Sequence, residues 1–362
     1  MKLVRRIWFG AALLGAIALP VARSWGADWK TEQDAGWKAY KEGNLDEAER
    51  RLAAAEKEAR AFGANDPRLA TTLDHLAWVR ANEEKLSDAE SLAKAALAIR
   101  EKSLGAEHAD VLLSLNTLAA ILELAGRPAE ARPVYERYLA LAKKIHGAEH
   151  LNVAAVLDNL ATVDQALGDV KAAEALYKQA LAMREKLAAA KPIDLAPTIH
   201  NLATLYVDQK KYAEAEALLK RELAIREKAE GAEHPDVASC LESIGWVYAL
   251  EDKPAEAEPL LRKALALYEK DLGADHPHVA CCSAKLGRVY LTRGREAEAD
   301  ACCKRAVSIY DRAGGDPADV ADALEDYAAV LRKEGHKPEA EKLEARAQTL
   351  RKSPEKSETP KR

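Results

Sequence analysis

The sequence predicts an all-α protein, a right-handed superhelical solenoid of about eight antiparallel helix pairs. Close copies of the segment from Tyr212 to Val237 recur at an interval of 42 residues, and a period in this range is typical of stacked helical units. Within each period, apolar residues run twice at helical spacing. Charged residues make up 31% of the chain and aromatic residues 5%, which favours a core of Ala and Leu between helices over a large globular enzyme core.

Each period is expected to fold as a helical hairpin. In one of them Leu241, Ile244, Gly245 and Tyr248 share a helix face, and Ala257, Leu261 and Ala264 share another. Small residues recur on the first helix, where its partner must come close: Ala119, Ala161, Ala203, Gly245 and Gly287. A bulky side chain there would force the two helices apart.

These residues resemble a known family. The order of a large residue, Ile244-Gly245, Tyr248, Ala257, Leu261 and Ala264 is similar to the tetratricopeptide helix-turn-helix pattern. The longer period, with LAIREK at Leu97 to Lys102, GAEHPDVA at Gly231 to Ala238 and LxNLA at Leu157 to Ala161, resembles the repeats of kinesin light chains and their bacterial relatives. The resemblance covers roughly Trp29 to Leu350 and implies a protein-binding solenoid, an architecture that serves many unrelated partners.

The N-terminal residues 1–26 have the pattern of a secretory signal peptide. Basic residues precede an apolar core from Ile7 to Leu19, and small residues surround the expected cleavage site after Gly26, with Ala22 or Ala27 as alternative sites. The alternative is an uncleaved membrane anchor, although the core is shorter than the roughly 20 residues that span a bilayer. No cysteine precedes Cys240, so a lipoprotein anchor is not expected. The protein is therefore predicted to be exported, periplasmic or secreted, from a bacterium.

The charge of the chain argues against nucleic acid as a partner. The full chain has a formal net charge of −5, and the signal segment carries four basic residues and no acid, which leaves −9 for the mature chain. A net negative surface repels a phosphate backbone. After removal of the signal, no insertion into a membrane is expected.

The solenoid is predicted over residues 27–351, with a polar, disordered tail at 352–362. Asn44 is a candidate N-cap in the atypical first pair. Between Leu187 and Pro192 the glycine and histidine registers are lost, and the turn is expected to bend differently. The helix pairs are expected near residues 29–62, 67–104, 109–146, 151–188, 193–230, 235–272, 277–313 and 318–350.

Motifs for catalysis are missing from the sequence. It has no GxxxxGK, GxGxxG, HExxH, GxSxG or CxxC, so we predict no enzyme activity and no cofactor. His108, His150, His234 and His276 share one register, but stacked helices lie about 8–10 Å apart, too far for one metal ion to gather them. We interpret them as turn and helix-entry residues and predict no metal site.

Five cysteines lie between Cys240 and Cys303. Burial as small apolar side chains is the simplest interpretation. A bridge between the pairs 281/282 and 302/303, or a metal site, are the alternatives. A thiol- or metal-dependent enzyme would need such a cluster.

The predicted function is a non-catalytic scaffold that binds an extended segment of a protein or peptide partner in a concave groove lined by the first helices. Resemblance to kinesin light chains would give Asn159 and Asn201 the role of holding a peptide backbone. The same registers also point to His75, Asn116, Thr117, Glu123, Asp158, Gln165 and His200. A merely solvated face is the alternative for each of them. The groove residues predicted to bind the partner are Trp78, Asn159, Thr162, Asn201, Thr204, Glu242, Ser243, Trp246, Lys285 and Arg288.

The partner segment is expected to lie across the repeats from about Asn159 to Arg288, with an acidic residue opposite Lys285 and Arg288. The protein is expected to be a monomer or to associate weakly. The alternative function is a structural envelope component that assembles through the ends of the solenoid.

Overall fold

The computed structural model describes residues 26–187 and 191–352. The predicted signal peptide lies outside the described residues apart from Gly26, and the predicted tail lies outside them apart from Lys352. Within the described ranges the chain has 16 α-helices and no strand, which confirms the predicted all-α class. No described helix is long and apolar enough to cross a membrane.

The chain divides into two compact units, whose described parts are residues 26–187 and 191–352. The N-terminal unit contains α1 (Gly26–Lys41), α2 (Leu45–Ala61), α3 (Pro67–Asn82), α4 (Leu86–Leu104), α5 (Val111–Leu124), α6 (Pro128–His146), α7 (Leu151–Ala166) and α8 (Val170–Leu187). The C-terminal unit opens with a 3-10 turn (Pro192–Leu195) and continues with α9 (Ala196–Asp208), α10 (Tyr212–Glu230), α11 (Pro235–Leu250), α12 (Pro254–Leu272), α13 (Pro277–Thr292), α14 (Glu296–Ala313), α15 (Pro317–Lys333) and α16 (Lys337–Lys352).

Within each unit, odd-numbered helices are the first and even-numbered helices the second members of antiparallel pairs, and each second helix also packs against the next first helix of its unit. Small residues hold the pairs close, as the sequence predicts. Ala161 and Ala203 are fully buried. A Cβ atom added at Gly245 would lie 2.9 Å from Leu261 Cγ, and one at Gly287 would meet Cys303 Sγ.

The recurring Gly-Ala-Glu-His segment ends one pair and starts the next. Gly231 closes α10 with φ at +94°, a conformation that residues with a Cβ rarely adopt. Three residues later His234 accepts the backbone N–H of Asp236 through Nδ1 at 3.2 Å and so caps α11. His150 and His276 cap their helices in the same way, with N···N distances of 3.1 and 3.2 Å. His108 accepts the Asp110 N–H at 3.1 Å in the turn just before α5. The predicted turn and helix-entry role of these histidines is confirmed.

The acidic residue of this segment links neighbouring pairs. Glu233 bonds Lys270 at 2.7 Å, and Asp275 bonds Arg312 at 2.8 Å, in each case a base in the last turn of the next second helix. Glu107 with Lys144 and Glu149 with Lys186 repeat the contact in the N-terminal unit. All these groups are exposed, so each pair is worth at most about 1 kcal/mol.

Residues near Pro192 depart from the repeat. Proline stands at the register position of His108, His150, His234 and His276, and no side chain caps the 3-10 turn or the start of α9. A 3-10 turn forms instead, in which the Asp194 N–H bonds the Lys191 carbonyl at 3.1 Å. For this reason α9 begins at Ala196, three residues after the expected Ile193.

Candidate functional site

The predicted groove residues lie on first helices and share a surface, which we call the first-helix face of each unit. In the C-terminal unit Thr204 and Arg288 are exposed, and four others are half-buried: Asn201, Ser243, Trp246 and Lys285. In the N-terminal unit Thr162 is exposed, whereas Trp78 and Asn159 are half-buried. Glu242 differs from the rest, since it is buried.

A buried polar register runs beneath this face, and helical periodicity alone does not distinguish it from the surface. Asp74, Asp158 and Glu242 are each spaced by a multiple of the repeat and are at most 7% exposed. Each bonds a residue 26 positions later on the second helix of its own pair: Arg100, Arg184 and Tyr268. The placement of Asp158 on the groove surface is corrected accordingly, because its carboxylate is held inside the pair by Arg184 at 2.8 Å.

His200 occupies the same register with a different partner. Its Nδ1 lies 2.9 Å from a Glu222 carboxylate oxygen, and Glu222 also accepts Arg226 Nε at 2.8 Å. Burial opposes protonation of the ring, but Glu222 outweighs it and raises the pKa of His200. His200 is therefore engaged inside the pair and only partly available on the face.

Other register positions are also internal. Thr117 is buried and bonds the Leu113 carbonyl at 3.1 Å. Glu123 accepts the Tyr135 hydroxyl at 2.5 Å, and burial raises its pKa to about 7. The His75 ring stacks on Trp37 with centroids 3.9 Å apart, and burial lowers its pKa to about 3. Periodicity places these residues on the correct helix side but cannot tell how deep they lie.

The C-terminal unit brings Trp246, Lys285 and Arg288 together. The Lys285 ammonium lies 5.7 Å from the Trp246 ring centroid and the Arg288 guanidinium carbon 5.3 Å from it, which are cation–π distances. Arg288 is 53% exposed in its side chain, and its nearest acid, Asp326 on α15, is 3.8 Å away. Burial raises the pKa of Asp326 to about 7, although Arg288 opposes this shift.

Lys285 is already paired. Its ammonium donates to the Glu242 carboxylate at 2.7 Å, and the same carboxylate accepts the Tyr268 hydroxyl at 2.9 Å. Burial disfavours both charges, but their attraction prevails: it lowers the pKa of Glu242 and raises that of Lys285. The pair stays ionised around neutral pH, so Glu242 supports Lys285 from below and does not face solvent.

A small pocket opens beside Trp246. Its volume is about 140 Å³, and apolar side chains line it together with the polar Arg288 and Thr292. The lining residues are Trp246, Ala249, Leu250, Pro254, Arg288, Val289 and Thr292. The arrangement places an aromatic ring, a small recess of mixed lining and an exposed guanidinium side by side, a combination that suits side chains of a bound polypeptide.

The five cysteines, all within the described C-terminal unit, are free. Cys240, Cys282 and Cys303 are buried, and Cys281 and Cys302 are half-buried. Burial raises the thiol pKa at each, to about 12 at Cys281, so the unreactive thiol form prevails at neutral pH. Simple burial, the first interpretation, describes them best.

One group of side chains in the described ranges has ligand atoms close enough for a metal ion: Glu230, His234 and Asp236. Arg226 already supplies a cation there, with Nη1 2.7 Å from Asp236 and 3.5 Å from Glu230. His234 Nδ1 is used as the cap of α11. The group therefore forms a structural network that joins the end of α10 to the start of α11.

Comparison with known proteins agrees with this architecture. The tetratricopeptide repeat profile matches residues 79–144, 110–186, 194–270, 251–302 and 279–353, well over half of the chain. None of the curated proteins matches the sequence.

Among solved structures, BtubC (BKLC) from P. vanneervenii is 24% identical over 65% of this chain and 95% of its own, with a TM-score of 0.53. The repeats of a putative kinesin light chain from Podosopora anserina are 27% identical over 57% of this chain and 98% of their own, with a TM-score of 0.49. A Rap protein complexed with Competence and Sporulation Factor is 15% identical over 91% of this chain and 98% of its own, with a TM-score of 0.56. The structural neighbours thus include kinesin light chain-like repeat proteins, as the motifs predict. The chain belongs to the tetratricopeptide repeat family.

Proposed function

We propose that the protein is a non-catalytic interaction scaffold whose C-terminal unit binds an extended segment of a protein or peptide partner on its first-helix face. The observation that carries the proposal is the cluster of Trp246, Lys285 and Arg288 beside the small pocket. Aromatic and arginine side chains dominate binding energy at protein interfaces because they bury much area at small entropic cost. Family membership supports a binding role, and the Rap neighbour is a protein of similar fold complexed with a factor.

The face suggests what the segment contains. Arg288 is the most exposed cation of the cluster, and its contact with Asp326 at 3.8 Å is long for an ion pair. An acidic side chain of the partner would meet it there, and the contact would weaken with salt. Asn201, Thr204 and Ser243 precede the cluster on α9 and α11 and offer amide and hydroxyl groups to a peptide backbone.

Residues of the N-terminal unit form a separate part of the proposal. Trp78, Asn159 and Thr162 are accessible on its first-helix face, and the resemblance to kinesin light chains assigns a backbone-holding role to Asn159 and Asn201. The Thr162 hydroxyl already bonds the Tyr177 hydroxyl at 2.9 Å, so Asn159 is the stronger candidate for contact with a partner.

The test uses affinity capture of the mature protein with envelope extract, followed by identification of the bound protein and measurement of its dissociation constant. Trp246→Ala is expected to cost about 2 kcal/mol or more of binding, roughly 30-fold in affinity, without changing the helical circular dichroism. Arg288→Glu should also weaken binding. Arg262→Glu is the matched control, because Arg262 is 65% exposed on the second helix α12. Equal binding by wild type, Trp246→Ala and Arg288→Glu would refute the assignment of this face.

We also propose that the protein is exported and that its mature chain begins near Ala27, on the basis of the basic, apolar and small-residue order of residues 1–26. N-terminal sequencing of native protein tests this. An intact Met1 in a cytoplasmic fraction would contradict it.

A further inference from the structure

Among the buried acids of the polar register beneath the first-helix face, Glu242 differs from Asp74 and Asp158 in its partner. In the pairs that contain Asp74 and Asp158, the partner 26 residues later is an arginine, so a cation of the same pair neutralises the acid. At Glu242 the equivalent position is Tyr268, which donates one hydrogen bond and no charge. A cation for Glu242 must therefore come from elsewhere.

That cation is Lys285 from the next first helix. Glu242 is 9% exposed and Lys285 25% exposed in their side chains, and their charged atoms are 2.7 Å apart. Three helices of two consecutive pairs are joined in this way, since Tyr268 lies on α12, Glu242 on α11 and Lys285 on α13. Where tyrosine takes the place of arginine, at Tyr268, the cation that pairs with the buried acid is thus Lys285 of the accessible first-helix face.

The fixed lysine lies at the centre of the proposed binding cluster. A free lysine side chain carries about 2 kcal/mol of rotamer entropy, part of which is lost whenever a partner immobilises it. Lys285 is already held by Glu242 beside the Trp246 ring, so a partner that contacts it pays less of this cost. One of its three ammonium protons serves Glu242, and the others can be donated.

Resting on the proposed function of this face, we propose that Glu242 and Tyr268 are positioning residues, which fix the Lys285 ammonium beside Trp246 as a directed hydrogen-bond donor without net charge. The positive charge that an acidic segment meets is then that of Arg288, whose contact with Asp326 is long at 3.8 Å. Lys285 then contributes orientation and Arg288 contributes long-range attraction. The contribution of Arg288 to binding therefore falls as salt is added, whereas that of Lys285 changes less.

The first test needs no partner. In wild type, the ¹H–¹⁵N ammonium signal of Lys285 should be visible at neutral pH, because a held ammonium exchanges its protons slowly with water. Glu242→Gln should abolish the signal, and Tyr268→Phe should weaken it. A wild-type Lys285 signal that resembles those of exposed lysines, or one that persists in Glu242→Gln, would overturn the positioning role whatever binds the face.

The second test measures binding of a fluorescein-labelled hexa-aspartate peptide while salt shortens the screening length from about 30 to about 8 Å. Arg288→Met should weaken binding about threefold at low salt and flatten the salt dependence. Glu242→Gln adds one net charge and should steepen it. The double variant Glu242→Gln/Lys285→Met restores the wild-type net charge and should restore the wild-type slope with lower affinity.

The outcomes separate the two proposals. If the peptide fails to bind wild type while the Lys285 signal behaves as expected, the acidic partner is wrong and the positioning role stands. An unchanged salt slope in Glu242→Gln would overturn the charge assignment. Circular dichroism of each variant checks folding, and Tyr268→Phe keeps every charge in place should Glu242→Gln fail to fold.

Discussion

The buried ion pair of Asp158 and Arg184 is the contact whose removal tests the structure most sharply. Arg184 donates Nη2 and Nε to one carboxylate oxygen of Asp158, at 2.8 and 3.2 Å. The side chains are 15% and 10% exposed, so water screens the pair only slightly. Arg184→Met keeps most of the side-chain volume and removes the cation. It leaves a carboxylate inside the helix pair without its charge partner.

The expected magnitude follows from this burial. Loss of one partner of a buried pair costs about 3–5 kcal/mol, and the residual exposure of both groups places the expected cost of Arg184→Met near the lower end, at about 3 kcal/mol. The preceding repeat supplies a natural reference, since Asn116 and Ala142 occupy the same two positions without a charge. The double variant Asp158→Asn/Arg184→Ala copies that repeat and should cost only about 1 kcal/mol.

Urea unfolding followed by circular dichroism measures the loss, and amide hydrogen exchange in α7 and α8 measures it locally, because repeat proteins can open one unit at a time. The double variant should be more stable than Arg184→Met alone. A cost below about 1 kcal/mol for the single variant, or a double variant that is less stable than the single one, would show that neither buried charge depends on its partner.

Two further predictions concern helix caps and buried acids. His276→Ala should cost about 1 kcal/mol of stability through loss of the α13 cap, whereas His276→Asp, which copies the cap at Asp316, should keep it. Burial and His278 lower the pKa of His276, so the stabilising effect of the cap should be present above about pH 6.5 and lost as pH falls. Urea unfolding of both variants over this pH range measures the effect. Burial raises the pKa of Glu123 from 4.5 to about 7, so the stability that its protonated carboxyl contributes is lost as pH rises through this window. Glu123→Gln should therefore be more stable than wild type at pH 8 and gain little at pH 4. Equal gains at both pH values would contradict the raised pKa of Glu123.

Much of the fold could be read from the sequence because local signals coincide with the repeat. Second helices begin where predicted at Leu86, Pro128 and Tyr212. Proline restricts its own φ to helical values and lacks the N–H that a first turn leaves unbonded, so its position marks a helix start. The least accurate start was near Ile193, where the cap register is broken and no side chain fixes the first turn.

Burial depth on the first helices could not be read in the same way. Helical periodicity assigns a residue to a direction with a tolerance of about one residue, or 100°, and positions at the border of the packed face fall within that tolerance. Asp158 and Glu242 lie at this border. Their depth depends on partners 26 residues later. For Asp158, the recurrence of an acid and an arginine at that spacing was the signal that could have shown it, whereas the Tyr268 partner of Glu242 gives no such signal.

The border register also explains which positions remain for a partner. One and four residues after Asp158 and Glu242 the side chains turn outward, at Asn159 and Thr162 and at Ser243 and Trp246. The register itself is committed to the helix pair, so its substitution changes stability before it changes binding. The outward positions support little packing and can vary freely between repeats, from threonine at 162 to tryptophan at 246. Specificity for a partner is therefore expected to reside in these outward positions. The register can influence specificity only where its charge partner lies on the accessible face, as Lys285 does for Glu242.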